Sequence, residues 1–220
     1  MPTLDVQKAR FNMIEQQIRP WNVLDAGVLH LLASVRRDEF VPEAFKALAY
    51  ADMEIPLPAG QCMLAPRLEA RLLQDLAIKK TDKVLEIGTG SGFLTALLAH
   101  QAASVLSLEL SPELVAFAKG NLQKAGISNA EVRQGDGAEG AAAQGPFDVI
   151  VLGGSVAEVP HKLLEQLKVG GRLGAVVGEE PVMCATFVTR TSATNYHTVQ
   201  PWDCDAPRLQ NFAEKSHFTF

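Results

Sequence analysis

Along this chain the apolar positions change their rhythm once. Up to about residue 49 they follow a helical spacing; from Pro66 onward, short apolar runs alternate with helical stretches. Between Leu4 and Ala49, the residues Phe11, Ile14 and Ile18 mark one helix, which Pro20 breaks. Asp25 is suited to cap a second helix that carries Val28, Leu31, Leu32 and Val35. Phe40-Val41-Pro42 ends it, and a short helix is expected to follow to about Tyr50. The stretch Ile55-Pro56-Leu57-Pro58-Ala59-Gly60-Gln61 holds three breakers and predicts a loop.

From Pro66 the pattern predicts helix 66–78, strand Lys83–Ile87, helix 91–101 and strand Ser104–Glu109. Ser111-Pro112 is an N-cap with proline at the first helical position, and that helix should run to Ala125 and stop at Gly126. Strand 130–134 follows. Phe147–Leu152 is a short apolar run suited to a central parallel strand buried on both faces. Helix 160–168, a stop at Gly170-Gly171 and strand 172–177 complete the alternation, and the tail from Met183 to Phe220 predicts further strands with a hairpin through Ala193-Thr194-Asn195. This order implies an α/β fold: a parallel sheet with helices on both faces, preceded by a helical N-terminal extension. Residues 1–65 are read as that extension with a site loop, and 66–220 as the sheet domain, the two forming one compact unit. In this architecture ligands lie at the carboxyl ends of the strands.

Composition narrows the function classes. With 47% hydrophobic and 20% charged residues, 220 residues suffice for one well-packed domain. A net charge of −5 gives no electrostatic footprint for nucleic acid. Cys62, Cys184 and Cys204 form no C-x-x-C pair, which points to reduced thiols in a cytoplasmic protein. The histidines (His30, His100, His161, His197 and His217) show no metal-ligand spacing, so no metal site is expected. No apolar run approaches the ~20 residues of a membrane helix, and the N-terminus lacks a signal-peptide core.

The chemistry concentrates in Val84-Leu85-Glu86-Ile87-Gly88-Thr89-Gly90-Ser91-Gly92-Phe93, between a predicted strand and a predicted helix. A dinucleotide fingerprint needs G-x-G-x-x-G, but the sixth position counted from Gly88 is Phe93. Glu86, two residues before the first glycine, would repel a pyrophosphate and suits a cationic amino-acid ligand. S-adenosylmethionine carries an ammonium and a sulfonium and no phosphate, and E-x-G-x-G-x-G matches the signature of methyltransferases that use it. Glu109 ends the next strand, where a carboxylate can accept both ribose hydroxyls, with Leu110 beside it. Asp136, between Gly135 and Gly137, is suited to accept from the adenine amino group. Gly153, ahead of Gly154 and Ser155 at the end of the fourth strand, is expected to face the reacting methyl. Asp148 at the start of that strand is read as structural.

Around these residues the chain resembles the protein-L-isoaspartate O-methyltransferase family. The resemblance rests on Gln16-Gln17-Ile18-Arg19-Pro20, Val35 to Pro42, Pro56-Leu57-Pro58-Ala59-Gly60-Gln61 and Val84 to Gly92. It continues through Gly135-Asp136-Gly137, Phe147 to Pro160 and Leu167 to Glu179. It implies a Rossmann-like class I S-adenosylmethionine-dependent methyltransferase sheet and a monomer or homodimer. It also implies methyl transfer to the carboxylate of isoaspartyl residues in proteins or peptides, a repair reaction. Such an acceptor is ionised at neutral pH and needs no general base; the enzyme supplies proximity and in-line alignment.

The chain departs from the family in its substrate loop. The family loop reads G-Q-T-I-S, a variable residue and Pro, and its Ser hydroxyl helps orient the acceptor carboxylate. Here Gly60-Gln61-Cys62-Met63-Leu64-Ala65-Pro66 puts Leu64 at the Ser position and Cys62 at the Thr position. Leucine donates no hydrogen bond. Two readings follow: either other donors, such as loop N–H groups or Arg67, align the acceptor, or the pocket serves a different, more apolar acceptor. A non-catalytic S-adenosylmethionine-binding protein is the third reading. Trp21 and Trp202 either line a substrate mouth or pack at its rim.

Overall fold

The computed structural model describes residues 5–214; Leu4, His217 and the end of the C-terminal tail lie outside them. Helix α1 (Val6–Asn12) is capped by Asp5, whose carboxylate accepts from the Lys8 N–H at 3.1 Å. It continues as a π-helical stretch over Met13–Ile18 and a 3-10 turn over Arg19–Trp21 that contains Pro20. The wider π turn brings Met13 into the buried stripe with Ile14 and Ile18 and leaves Phe11 exposed, where the helical spacing had placed Phe11 in the stripe. Helix α2 (Ala26–Ser34) starts at Asp25 as expected, with the Val28 N–H donating to its Oδ1 at 2.9 Å. The expected short helix near residue 45 is a 3-10 helix over Glu43–Leu48.

The breaker-rich loop is a small hairpin. Strands β1 (Ile55–Pro56) and β2 (Cys62–Met63) pair antiparallel, Ile55 opposite Met63 and Pro56 opposite Cys62. The prolines and Gly60 confine the pairing to two residues a side, too few for a periodic signal. Helix α3 (Pro66–Leu76) follows directly and ends at Ala77 in the left-handed region, φ 46°.

Strand β3 (Lys83–Ile87), helix α4 (Phe93–Gln101), strand β4 (Ser104–Glu109), helix α5 (Pro112–Lys124) and strand β5 (Ala130–Gln134) match the sequence pattern closely. Strand β6 (Phe147–Val156) runs four residues past its expected end and carries a register irregularity against β7 between Val151 and Ser155. Helix α6 (His161–Leu164) is one turn, not the expected 160–168, because the Phe147 N–H captures the Gln166 carbonyl at 2.8 Å. That bond starts strand β7 (Leu167–Glu179) at Leu167. Strands β8 (Val182–Arg190) and β9 (Tyr196–Asp203) form the expected hairpin. The seven-stranded sheet has the order β5-β4-β3-β6-β7-β8-β9; its pairings are parallel from β5 to β7, and β8 runs antiparallel to both β7 and β9. The chain moves outward from β3 through β4 to β5, then crosses back to β6 on the other side of β3. The crevice for a ligand therefore lies at the carboxyl end of β3.

The two faces of the sheet are covered unequally. Val84, Val149, Val151 and Val176 share one apolar cluster with α3, α4, α5 and the N-terminal helices. Leu85, Ile87, Leu108, Ile150 and Leu152 point to the opposite face, by the two-residue alternation of a strand. Among the described residues, only the single turn of α6, 3-10 turns at Gly137–Glu139 and Ala142–Gln144, and a few C-terminal side chains lie against that second face. Helices on both faces were expected; Gly135, Gly137, Gly140 and Gly145 leave no helix-forming run between β5 and β6. Among the described residues no helix is long and apolar enough to cross a membrane.

Leu72 of α3 is fully buried between the sheet and the N-terminal helices. Leu72→Ala is expected to lower unfolding free energy by about 2–5 kcal/mol, read from urea denaturation. A loss below about 0.5 kcal/mol, the size of an ordinary surface change, would contradict this packing.

Candidate active site

The loop after β3 turns through three residues of positive φ, Gly88 at 87°, Gly90 at 54° and Gly92 at 84°. Close approach matters as much as φ. A Cβ on Gly153 would lie 2.5 Å from the Gly88 carbonyl oxygen, so β6 and the glycine loop meet backbone to backbone. Gly137 packs against Ile87 in the same way, its Cβ position 2.2 Å from Cγ2.

Glu109, at the end of β4, is held from two sides. Its Oε2 accepts from the Gly90 N–H at 2.9 Å and its Oε1 from the Ser111 N–H at 3.0 Å. The carboxylate is thereby fixed on the wall of a cleft of about 650 Å³ that also exposes Gly88, Leu110, Asp136 and Gly137. Ile87, Leu108, Leu209 and Phe212 supply apolar walls. A fixed carboxylate with free lone pairs beside apolar faces suits a ligand that carries vicinal hydroxyls and a flat ring. Asp136 lines the cleft, but its Oδ1 caps the following turn through the Ala138 N–H at 3.0 Å, and its Oδ2 accepts from Asn211 Nδ2 at 2.9 Å.

Glu86 does not line this cleft. It alternates with Ile87, so its side chain enters the helix-covered side of the sheet, fully buried beneath the glycine loop. Thr95 and Ser107 donate to its Oε2, and Thr89 Oγ1 lies 2.5 Å from Ser107 Oγ. Its Oε1 is buried without a hydrogen-bond partner. Burial, against these two hydroxyl bonds, pushes its carboxyl up to about 8. The expected contact of Glu86 with a cationic ligand is thus replaced by support of the loop from below. Thr89 and Ser91 are buried too, and Phe93 N–H donates to Ser91 Oγ at 3.4 Å.

A second, smaller cavity adjoins the first across Gly88. Cys62, Met63 and Leu64 face Gly88, Thr89, Gly90, Ser91, Leu94 and Gly153 across it. The structure therefore brings the loop at residues 62–64, the glycine loop and Gly153 of β6 around one cavity. Leu64 and Met63 are buried, and the Leu64 carbonyl accepts from Arg37 at 2.6 Å. The Cys62 thiol lies 3.6 Å from Glu54 Oε2; burial, then the Glu54 charge, pushes it up to about 12, so it stays protonated. Gln61 lines the larger cleft instead of this cavity. Pro66 is the buried first residue of α3. Arg67, considered as an aligning donor, lines neither cavity: it pairs with Asp52 at 2.8 Å and stacks over Trp21 at 4.3 Å. Arg71 stacks likewise on Trp202, so both tryptophans sit on a separate groove. Asp148 holds the Lys83 N–H and Lys168, a structural role as expected.

Sequence reasoning missed Arg37, Glu69 and the C-terminal stretch Leu209–Phe212. Arg37 is fully buried, donates to Glu69 and to the Leu64 carbonyl, and lies over the Phe93 ring at 4.9 Å. Glu69 lines the small cavity. It shares the buried face of α3 with Leu72, Leu73 and Leu76, and a carboxylate on an apolar helical stripe was the available signal.

Residues 8–200 match the family model of protein-L-isoaspartate(D-aspartate) O-methyltransferase. The chain is 40% identical over 195 residues to a protein-L-isoaspartate O-methyltransferase of Koribacter versatilis, covering 89% of this chain and 87% of that protein. It is 41% identical over 182 residues to one from Methanoculleus marisnigri, covering 83% and 82%. The fold superposes with a TM-score of 0.78 on a Plasmodium falciparum protein described as a beta-aspartate methyltransferase and crystallised with S-adenosyl-L-homocysteine. Identity there is 21%, with 93% of this chain and 98% of that one covered.

The buried Glu86 carboxyl gives a pH test. Its folded value of about 8 exceeds an ordinary value near 4.5, so the folded state holds this proton more tightly. The stability it contributes is full below about 4.5 and is lost as pH rises through about 8. Urea midpoints should fall from about pH 5 to about pH 8, and Glu86→Gln should flatten that fall. An unchanged slope in Glu86→Gln would assign the loss to other groups.

Proposed function

The chain belongs to the protein-L-isoaspartate(D-aspartate) O-methyltransferase family, and from that we propose that it methylates the carboxylate of isoaspartyl residues in proteins, with S-adenosylmethionine as donor. The observation that carries this reading is that two neighbouring cavities share the glycine loop as a wall. The carboxylate of Glu109 stands in one, the acceptor loop walls the other, and Gly88 belongs to both. The residues present fit the donor: a doubly anchored carboxylate for ribose hydroxyls, apolar walls for adenine, and a glycine loop that turns through positive φ at Gly88, Gly90 and Gly92.

Bound there, the cofactor supplies a methyl group on a sulfonium. Glu109 holds the ribose, and Asp136 and Leu110 stand at the adenine end. Gly153 lets β6 close against the glycine loop, which forms the floor on which the reacting atoms would lie. Met63, Leu64 and Leu94 make an apolar wall that strips water from an entering carboxylate. That acceptor is already ionised, so the site provides alignment without a general base. The following backbone amide nitrogen then attacks the methyl ester, expelling methanol and closing a succinimide, whose hydrolysis returns part of the material to normal aspartate. Free Cys62, Cys184 and Cys204 fit a cytoplasmic repair enzyme. The buried bonds of Arg37 to Glu69 and Leu64 support the reading that residues 1–65 and the sheet work as one unit.

One observation favours a second reading. Leu64 presents an apolar side chain where the family has a hydroxyl, which suits a less polar acceptor. Transfer of labelled methyl to an isoaspartyl peptide, beside its normal aspartyl twin, separates the two. Label on the isoaspartyl peptide alone is expected; label on neither, with cofactor bound, would reject the repair reading.

Two substitutions test the residues. Glu109→Ala is expected to weaken S-adenosylhomocysteine binding by about 10–100-fold in calorimetry, the scale of one charged hydrogen-bonding pair. Unchanged affinity would refute the ribose assignment. Leu64→Ser restores a donor whose counterparts are worth on the order of 10²-fold in rate, so isoaspartyl turnover should rise. No rise would mean that the loop backbone alone orients the acceptor.

A further inference from the structure

Beyond the two cavities, a groove of about 1450 Å³ also borders the substrate loop. Ala65, next in sequence to Leu64, is in its wall, and so is Glu54, whose carboxylate lies 3.6 Å from the Cys62 thiol. Leu64 and Cys62 themselves line the small cavity, so the loop borders both hollows. Four regions meet around the groove: the N-terminal extension, α3, the turn between β7 and β8, and the end of β9. No step of the reaction described above uses it.

Its charges fall into two sets. Arg67 stacks on Trp21 and pairs with Asp52 at 2.8 Å, while Arg71 stacks on Trp202 and lies 4.0 Å from Asp75. Both guanidiniums are therefore answered from within the fold. Glu54, Glu180, Asp203 and Asp205 are exposed along the same groove, and among the described residues none of these four forms an ion pair. The groove thus carries an excess of negative charge. Among the described residues no three carboxylates, thiols or imidazoles are grouped to hold a metal ion, so this charge suits cations spread along a chain. Trp21 and Met53 leave apolar surface open beside the carboxylates. The stem of a lysine or arginine lies along such a surface while its head reaches a carboxylate. Tryptophan, methionine and arginine are also the side chains enriched where proteins meet.

We propose that this groove takes a lysine- or arginine-bearing segment of the polypeptide substrate, outside the reacting residue. That the segment belongs to the substrate rests on the repair reading given above; that the groove binds a cationic chain does not. One exposed ionic contact is worth little, but four carboxylates along one groove act together on a chain that carries several cations. The segment adds affinity and selects among damaged proteins, while the chemistry stays in the two cavities.

Trp21 and Trp202 are the two tryptophans of the chain and both line the groove, so intrinsic fluorescence of the full chain reports its occupancy without any turnover. The probes are two short peptides without isoaspartate, identical except that three lysines of one are glutamates in the other. The lysine peptide is expected to bind saturably, about 10-fold tighter than its twin, and to weaken as salt is added. Glu180→Gln with Asp205→Asn, both exposed positions, should weaken it by about 3–10-fold, the scale of two exposed ion pairs. Equal binding of the two peptides, no loss in the double variant, or no binding by fluorescence and calorimetry would each overturn the proposal. Isoaspartyl versions of the same peptides then test the substrate assignment by methyl transfer. A KM about 10-fold lower for the lysine version, with kcat little changed and the gap narrowed in the double variant, is expected. Equal KM values in the unsubstituted chain would overturn the assignment to substrate. Transfer to neither peptide, with the lysine peptide still bound, would reject the repair reading and the substrate assignment with it, a result distinct from failure of the groove to bind.

Discussion

One buried guanidinium ties three separate parts of this molecule together. Arg37 comes from a 3-10 turn of the N-terminal extension, yet its partners lie on α3, on the substrate loop and on α4. Removing one partner from such a pair leaves an unpaired buried charge, a penalty of about 3–5 kcal/mol. Arg37 therefore acts as a constraint more than as a source of net stability. The loop can hold the Leu64 carbonyl in place only while the extension is docked and Glu69 is present. Phe40, three residues on, packs edge to face on Phe93 at 5.5 Å and seals the same spot from water.

This dependence changes how the loss of the family's hydroxyl at Leu64 is understood. A serine would serve the acceptor with its side chain, whereas Leu64 serves the loop with its main chain and the cavity with its bulk. The loop geometry is thus preserved by backbone bonding, and the chemistry of its wall is free to vary. Beneath the glycine loop the same division holds. Glu86 is spent on Thr95 and Ser107, and the groups left facing the cleft are the loop backbone and Glu109.

The sheet from β3 to β5 was legible because its strands and helices are bounded by strong local signals. Ser111-Pro112 starts α5, Gly126 at φ 71° ends it, and the glycine loop separates β3 from α4. Glu109 and Asp136 were found because a strand end fixes where a side chain must lie. What stayed hidden was decided at a distance. Helix α6 stops early because a carbonyl is captured by β6, and no residue near Gln166 announces this. Leu209 enters the cleft because its N–H donates to the Ser155 carbonyl at 2.9 Å, and the Ser155 N–H donates to Pro207, bonds across some fifty residues of sequence. Glu86 was read as suited to a cationic ligand; its burial on the helix-covered side follows from the two-residue alternation of β3. Arg37 and Glu69 stand 32 residues apart in sequence, and only the fold pairs them in the interior.

The far border of the sheet carries its own safeguard. Strand β9 is the last in the order, so among the described residues no other strand pairs with one of its sides. Between the pairs Ala185–Trp202 and Phe187–Val199, Gln200 and Pro201 lie opposite Thr186 alone, which makes a bulge with proline inside it. Proline has no N–H to offer, and the bulge bends the strand away from a flat ribbon. A second molecule attempting to extend the sheet would meet a border that is both kinked and short of a donor, which protects the fold from stacking into aggregates of itself.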